Sequence, residues 1–195
     1  IVRASRITYM GELGWELYIP TEFAVGVYDA IIDVGDEYGL KHVGMHAMNS
    51  LRIEKGYRHW GHDITDEENP IQAGLGFAIA WDKKGGFIGR DALLHIKKSC
   101  VTQRIVQFLL TDPEKLLYHN EPIYRSGVIV GYLTSGMYGH TLGGAVGLGY
   151  VVNADGVDAQ FINEGKFEIE VAGILVPATA SLRPMYDPKN ERVRI

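Results

Sequence analysis

Apolar and polar side chains alternate at the start of the chain: Ile7 and Tyr9 with Arg6 and Thr8, then Trp15, Leu17 and Ile19 with Glu16 and Tyr18. A period of two is the mark of half-buried strands, so Arg6 to Leu17 is expected to form a hairpin with Glu12 at its tip. Gly11 and Gly14 bracket the turn and allow backbone conformations and close approaches that other residues resist. From Thr21 to Tyr38 the period becomes helical, with Ala24, Val27, Tyr28, Ile31 and Tyr38 on one stripe that is expected to pack on a sheet. Pro20 and Thr21 offer the start of that helix and Gly39 its stop. Met45 to Gly56 reads as a second helix and Asp91 to Lys98 as a third, with Ala92, Leu93 and Ile96 inward. Between them, Tyr57 to Thr65 is aromatic and hydrogen-bonding and is expected to be a loop. Asp66 to Pro70 is an acidic loop leading to a helix start, with Asn69 as cap and Pro70 in the first helical position. The apolar run from Leu75 to Trp81 predicts a buried strand with Phe77 in the core.

Around Ser99 the pattern changes from mixed helix and strand to strands alone. Arg104 to Leu110, Pro122 to Arg125, Val128 to Ser135, Ala145 to Val152, Phe167 to Val171 and Ile174 to Ser181 are separated by glycine, asparagine and aspartate turns. Six short strands at this spacing suggest a small barrel or sandwich. The expectation is therefore an α+β portion over residues 1–99 and an all-β portion over residues 100–195, ending in a polar tail from Asp187 to Arg194.

Composition narrows the function. The chain has 195 residues, room for one or two domains, and a formal charge of -5, which supplies no basic field for nucleic acid or an anionic membrane. Neither is expected as a partner. Cys100 is the only cysteine, so an internal disulfide and a multi-cysteine metal site are excluded, and a reducing compartment, cytoplasm or mitochondrial matrix, fits. No apolar run is long enough to span a bilayer. The sequence opens at Ile1 without a methionine and enters a strand pattern almost at once, which reads as a fragment of a longer protein.

Several chemistries find no residues to carry them. There is no G-x-G-x-x-G after a strand, no phosphate-binding P-loop and no G-x-S-x-G elbow, and Cys100 has no evident basic partner. His46, His59, His62 and Asp63 raise the question of a metal, but His59 and His62 lie three apart on a loop without fixed mutual geometry, and no metal site is expected. What remains is Glu12, Arg52 and the polar loop from Arg58 to Asp63, with Tyr9, Trp15, Trp60 and Phe77 as aromatic neighbours. Glu12 is either a solvated turn glutamate or a carboxylate presented to a ligand with two parallel N–H donors. Arg52 and Glu54, two apart on a helix, point in different directions, which leaves Arg52 free for a site unless its head is solvated or ion-paired. Such a set suits a planar heteroaromatic ligand, one possibility among many at this level.

These residues resemble the aminomethyltransferase family, the T-protein of the glycine cleavage system and its relatives fused to flavin-dependent amine dehydrogenases. Tyr9 to Glu16 resembles the family's Tyr-x-Gly-Glu-x-Gly turn, and Ser50 to Glu54 its Ser-Leu-Arg-Leu-Glu helix. Asn69 to Leu75, Phe87 to Leu93 and Leu133 to Gly136 also match in type and order. Leu13 where the free-standing T-protein has aspartate, Arg58-His59-Trp60, and Met185 to Pro188 are most similar to the sarcosine and dimethylglycine dehydrogenase branch. The resemblance implies the C-terminal half of a T-protein-like folate-binding domain followed by a β-barrel. It also implies tetrahydrofolate as the ligand, with FAD only in an N-terminal domain outside this chain, and 5,10-methylenetetrahydrofolate as the product. Carried over by residue, Glu12 holds the pterin edge, Arg52 is the helix arginine of the site, Phe77 stands where the T-protein has a tryptophan beside the folate, and Tyr186 lies near a C-terminal folate-contacting tyrosine. The family's catalytic aspartate would precede Ile1, so no catalytic residue is expected here and the fragment alone is expected to be inactive. Its partners would be the N-terminal remainder of the polypeptide or another subunit. The alternatives are a free-standing glycine cleavage aminomethyltransferase with a lipoyl-bound donor, and a non-catalytic folate-binding or assembly module.

Overall fold

The computed structural model describes all residues, 1–195. A two-stranded pair, β1 (Arg3–Ser5) and β2 (Glu16–Tyr18), precedes α1 (Ala24–Gly35), α2 (Met45–Glu54) and α3 (Arg90–Lys98). Then come β3 (Gln103–Leu110), β4 (Pro122–Arg125), β5 (Val128–Gly139), β6 (Gly144–Val152), the short α4 (Ala159–Asn163), β7 (Phe167–Val171) and β8 (Ile174–Ser181). The last six strands close into a barrel in the order β3-β6-β5-β4-β7-β8, with β3 pairing β8 to complete the ring. This is the expected α+β start and all-β continuation, and closure decides between barrel and sandwich. No helix is long and apolar enough to cross a membrane.

β3 shows why the barrel lies against α2. Val106, Phe108 and Leu110 point into the barrel, where they pack with Ile123, Leu133, Ile169 and Val176. The alternate residue Ile105 joins Val146, Leu148 and Tyr150 on the outside, around Ile53 of α2. The strand therefore buries apolar side chains on both faces, and each fully buried aliphatic or aromatic side chain contributes roughly 1.5–3 kcal/mol. Gly131 is needed where β5 crosses β6, since a Cβ there would stand 1.8 Å from the Tyr150 carbonyl oxygen.

Several expectations are corrected. The first hairpin does not pair over Arg6 to Leu17: its register is Arg3 with Tyr18, Ala4 with Leu17 and Ser5 with Glu16, leaving residues 6–15 as a loop. The loop folds on itself through Ile7 N–H to the Ser5 carbonyl and Met10 N–H to Thr8 Oγ1, both 3.0–3.1 Å, which removes those groups from a ladder. The stripe of α1 does not pack on a sheet; Tyr28 and Ile31 are exposed, as are Val25 and Val34. Asn69 does cap, its Oδ1 accepting the Ile71 and Gln72 amides, but the helix is a single turn ended at Gly74, whose φ is 68°. Leu75 to Trp81 is not a strand. It holds a 3-10 turn at Gly76–Ala78, and Phe77 is 85% exposed, because the backbone bonds close locally, Ala78 N–H to the Leu75 carbonyl and Trp81 N–H to the Ile79 carbonyl, both at 2.9 Å, instead of across to a strand. α4 was not anticipated; its signal is Asp158, which caps it by accepting the Phe161 amide at 2.8 Å. The polar tail from Asp187 is tied to the end of α2 through Lys55.

Candidate functional site

α2 organises the site because each polar side chain at its C-terminal end engages a different element. Ser50 Oγ donates to the Tyr138 carbonyl of β5 at 2.6 Å. Glu54 is buried, and one carboxylate oxygen accepts the Thr141 and Leu142 amides of the β5–β6 turn, each at 2.8 Å. Gln107 of β3 donates to the Ile53 and Glu54 carbonyls at 2.6 and 2.9 Å, covering acceptors that a helix end leaves unpaired. Lys55, completely buried, donates to the carbonyl and the carboxylate of Asp187 at 2.6 and 2.7 Å.

Arg52 is 2% exposed and closely held. Its Nε donates to Asn49 Oδ1 at 2.7 Å, Nη1 to the Tyr57 carbonyl at 3.1 Å and to the Asp63 carboxylate, and Nη2 to Ser135 Oγ at 2.8 Å. Four of the five guanidinium N–H groups are thereby committed, leaving one on Nη2. Asp63 is completely buried and also accepts the Thr134 hydroxyl and the His59 amide. Such a pair is tolerable in the interior because all but one of the guanidinium N–H groups and both carboxylate oxygens are engaged. The sequence-level divergence of Arg52 and Glu54 holds, but the freedom it seemed to leave Arg52 does not: the residue is a buried tie between α2, the loop and β5.

Glu12 lies on the loop between β1 and β2. Gly11 has a φ of 81°, and a Cβ there would come within 2.7 Å of Lys55 Cβ, so glycine seats the loop on the end of α2. Half-buried Glu12 accepts the Tyr186 hydroxyl on Oε1, and no protein donor reaches Oε2. That hydrogen bond, with burial behind it, raises the Tyr186 phenol above its usual pKa. Tyr186 and Asp187 are adjacent, so one stretch of the tail holds both Glu12 and Lys55.

A cavity of about 280 Å³ opens beside Arg52. Its wall includes Tyr9, Asn49, Thr134, Ser135 and the imidazoles of His46, His59, His62 and His119. Tyr9 is fixed by its hydroxyl, which donates to the Arg58 carbonyl at 3.1 Å, and by stacking on Tyr57 at 6.4 Å between ring centroids. Of the residues singled out in the sequence, Arg52 borders this cavity and Glu12 sits three residues from Tyr9. Phe77 stands on its exposed turn and is not part of the wall. His59, His62 and Asp63 do not converge as metal ligands, since Asp63 is turned onto Arg52 and no cluster of three such groups forms. Sequence reasoning missed Lys55, Gln107 and Asp187, and weighed Asp63 only as a metal ligand. Thr134 and Ser135 lie within a motif noticed for its type, but nothing in it says that Ser135 Oγ meets Arg52 of α2 and the Thr134 hydroxyl the Asp63 carboxylate.

Comparison with known proteins agrees with this architecture. Residues 1–83 match the GCVT N-terminal domain and residues 103–187 the glycine cleavage T-protein C-terminal barrel domain. The chain is 48% identical over 189 residues to 4-methylaminobutanoate oxidase (formaldehyde-forming) of Paenarthrobacter nicotinovorans, covering 97% of this chain and 22% of that protein. It is 36% identical to mitochondrial sarcosine dehydrogenase of Homo sapiens, over 100% of this chain and 21% of the relative. It is 40% identical to the mitochondrial pyruvate dehydrogenase phosphatase regulatory subunit of Mus musculus, over 94% and 22%. The chain thus spans about a fifth of the length of these relatives. The crystal structure of the glycine cleavage system aminomethyltransferase T from Bartonella henselae superimposes with a TM-score of 0.78 at 26% identity, covering 91% of this chain and 48% of that one.

Proposed function

Because the chain belongs to the glycine cleavage T-protein (aminomethyltransferase) family, we propose that it is the tetrahydrofolate-binding part of a one-carbon transfer enzyme. The parent on this reading is a flavin-linked dehydrogenase of an N-methylated amine, of the sarcosine or dimethylglycine type, forming 5,10-methylenetetrahydrofolate. The observation that carries the reading is Glu12: a carboxylate seated on α2, steadied on one oxygen by Tyr186 and open on the other. An open carboxylate oxygen accepts from the amino and imino N–H edge of a pterin, so the residues present fit the ligand. Tetrahydrofolate, when bound, supplies the amine nitrogens that take up a one-carbon unit. Glu12 would hold and orient the ring, and Arg52 would offer its one remaining N–H while stiffening the wall behind it. Phe77 enters as an exposed ring face, on the strength of the family resemblance. The contribution of these residues is positioning, which makes the transfer effectively unimolecular. The exposed apolar stripe of α1 supports a covering partner, either the N-terminal remainder of the polypeptide, where flavin chemistry would reside, or another subunit.

Calorimetric titration with tetrahydrofolate tests this reading. Glu12→Ala is expected to weaken binding at least tenfold, roughly 1.4 kcal/mol or more, in this chain or in the full-length parent, while leaving flavin reduction by amine intact in the parent. Unchanged folate affinity in the parent would sink it. A second reading, a non-catalytic assembly module, is supported by the regulatory-subunit relative. It predicts a parent that binds folate without oxidising any amine.

A further inference from the structure

Asp187 stands in the left-handed region of backbone space, with a φ of 43°, although it is not glycine. Such a conformation persists where the surroundings over-determine it, and aspartate is among the residues that tolerate it. Here the surroundings are Lys55, whose buried ammonium donates to the carbonyl and the carboxylate of Asp187 at 2.6 and 2.7 Å, and the Glu191 and Arg192 amides, which donate to the same carboxylate at 2.8 and 3.1 Å. A buried cation therefore fixes one turn of an otherwise polar tail. The neighbours of that turn show what is held. Met185 N–H donates to Gln107 Oε1 at 2.7 Å, the Tyr186 hydroxyl donates to Glu12, and the Ile195 carbonyl accepts from Arg6 at 2.5 Å. Arg6 begins the loop at residues 6–15 that carries Glu12, so the tail ties the barrel to this loop at two points, while the stem of Lys55 lies under its Gly11. The loop has no ladder of its own, and without these ties the Glu12 carboxylate would have many directions open to it.

We propose that Lys55 and Asp187 are positioning residues for Glu12. Without touching a ligand, they hold the tail in the turn that puts the Tyr186 hydroxyl on one carboxylate oxygen and leaves the other open. This rests on the assignment of Glu12 to the pterin edge and adds two residues that lie behind the carboxylate, outside the wall of the cavity beside Arg52. Their effect on affinity passes through Glu12 alone. A carboxylate fixed before the ligand arrives need not be ordered on binding, which strengthens the complex without any new contact.

A double-mutant cycle in the full-length parent tests this, with tetrahydrofolate as the probe and calorimetry as the readout. Asp187→Asn removes the charge that Lys55 meets but keeps a residue at ease with a positive φ. It is expected to weaken binding about fivefold where Glu12 is present and to change nothing in the Glu12→Ala background, because the two substitutions act on one carboxylate. A residue with a merely structural role would weaken binding equally in both. The same variants of the 195-residue chain give a readout without ligand. The Cζ resonance of Tyr186, assigned with Tyr186→Phe, should move in Asp187→Asn in the direction it moves in Glu12→Ala. Lys55→Met, which keeps most of the stem under Gly11, carries the same expectations and serves if Asp187→Asn does not fold. A loss of affinity that is equal in both backgrounds, or absent, overturns the proposal, as does a Tyr186 resonance that Asp187→Asn leaves unmoved. In those cases a folate affinity weakened by Glu12→Ala leaves the Glu12 reading standing; if Glu12→Ala weakens nothing, both fall together.

Discussion

Lys55 is a charge buried for the sake of two neighbours at once. Its stem presses on Gly11 and so sets the loop that carries Glu12, while its ammonium is closed by Asp187 of the tail. Lys55→Met keeps most of the stem and deletes the charge. Without the ammonium, Asp187 keeps only the Glu191 and Arg192 amides as donors, so a lower midpoint in denaturant unfolding is expected. The pair also has a signed pH dependence. Burial alone would raise the Asp187 carboxyl, but the hydrogen bonds from Lys55 and from the Glu191 and Arg192 amides bring it below its usual value of 3.8. The unfolded chain therefore binds this proton more readily than the folded one. The stabilisation is complete above about pH 3.8 and is lost as the pH falls through the lowered folded value. Acid unfolding of Lys55→Met should lack that part of the transition, and an acid limb identical to the parent chain's would refute the assignment.

At the scale of elements, α2 is held by polar ties more than by an apolar face, and this explains what could and could not be read from the sequence. The barrel strands were legible because Val106, Phe108 and Leu110, or Ile169 and Val171, keep a period of two between glycine and aspartate turns. Leu75 to Trp81 was misread because apolar continuity reports hydrophobicity but not whether a sheet edge exists to receive the segment. The candidate site is half legible: Glu12 and Arg52 stand out as motif residues, whereas Glu54 and Lys55 look in sequence like the solvated end of a helix. Their burial depends on partners at Thr141, Leu142 and Asp187, more than eighty residues away, which no local pattern encodes. Glu54→Ala should accordingly behave as a core mutation. It removes two hydrogen bonds to a charged acceptor, at about 1.5–3 kcal/mol each, and a net loss of about 3 kcal/mol is expected in denaturant unfolding. Amide exchange at Thr141 and Leu142 should accelerate beyond that of the neighbouring β6 amides; a surface glutamate would change neither.

For the molecule as a whole, the distribution of buried residues implies two regions of unequal stability. Among residues 1–44 only Gly11 and Gly35 are buried, whereas β6 is buried along nearly its whole length. α1 keeps Val25 71% and Val34 56% exposed, so opening it to water exposes little new apolar surface and its resistance to opening is small. The barrel has no such route, because its closed ladder leaves no strand edge from which to peel and its core is shared among all six strands. Native-state hydrogen exchange should therefore divide the chain. Amides of α1 and of β1 and β2 should exchange through local openings, and those of β3, β5 and β6 only on global unfolding. α2 is the informative case: its bonds to Tyr138, Thr141, Leu142 and Gln107 place it with the barrel, although it precedes α3 and the whole of residues 57–102 in the chain. If α2 exchanges with α1 instead, its polar ties contribute little. If it exchanges with β5 and β6, the floor under Glu12 belongs to the most stable part of the molecule, and only the loop at residues 6–15 is left for a ligand to order.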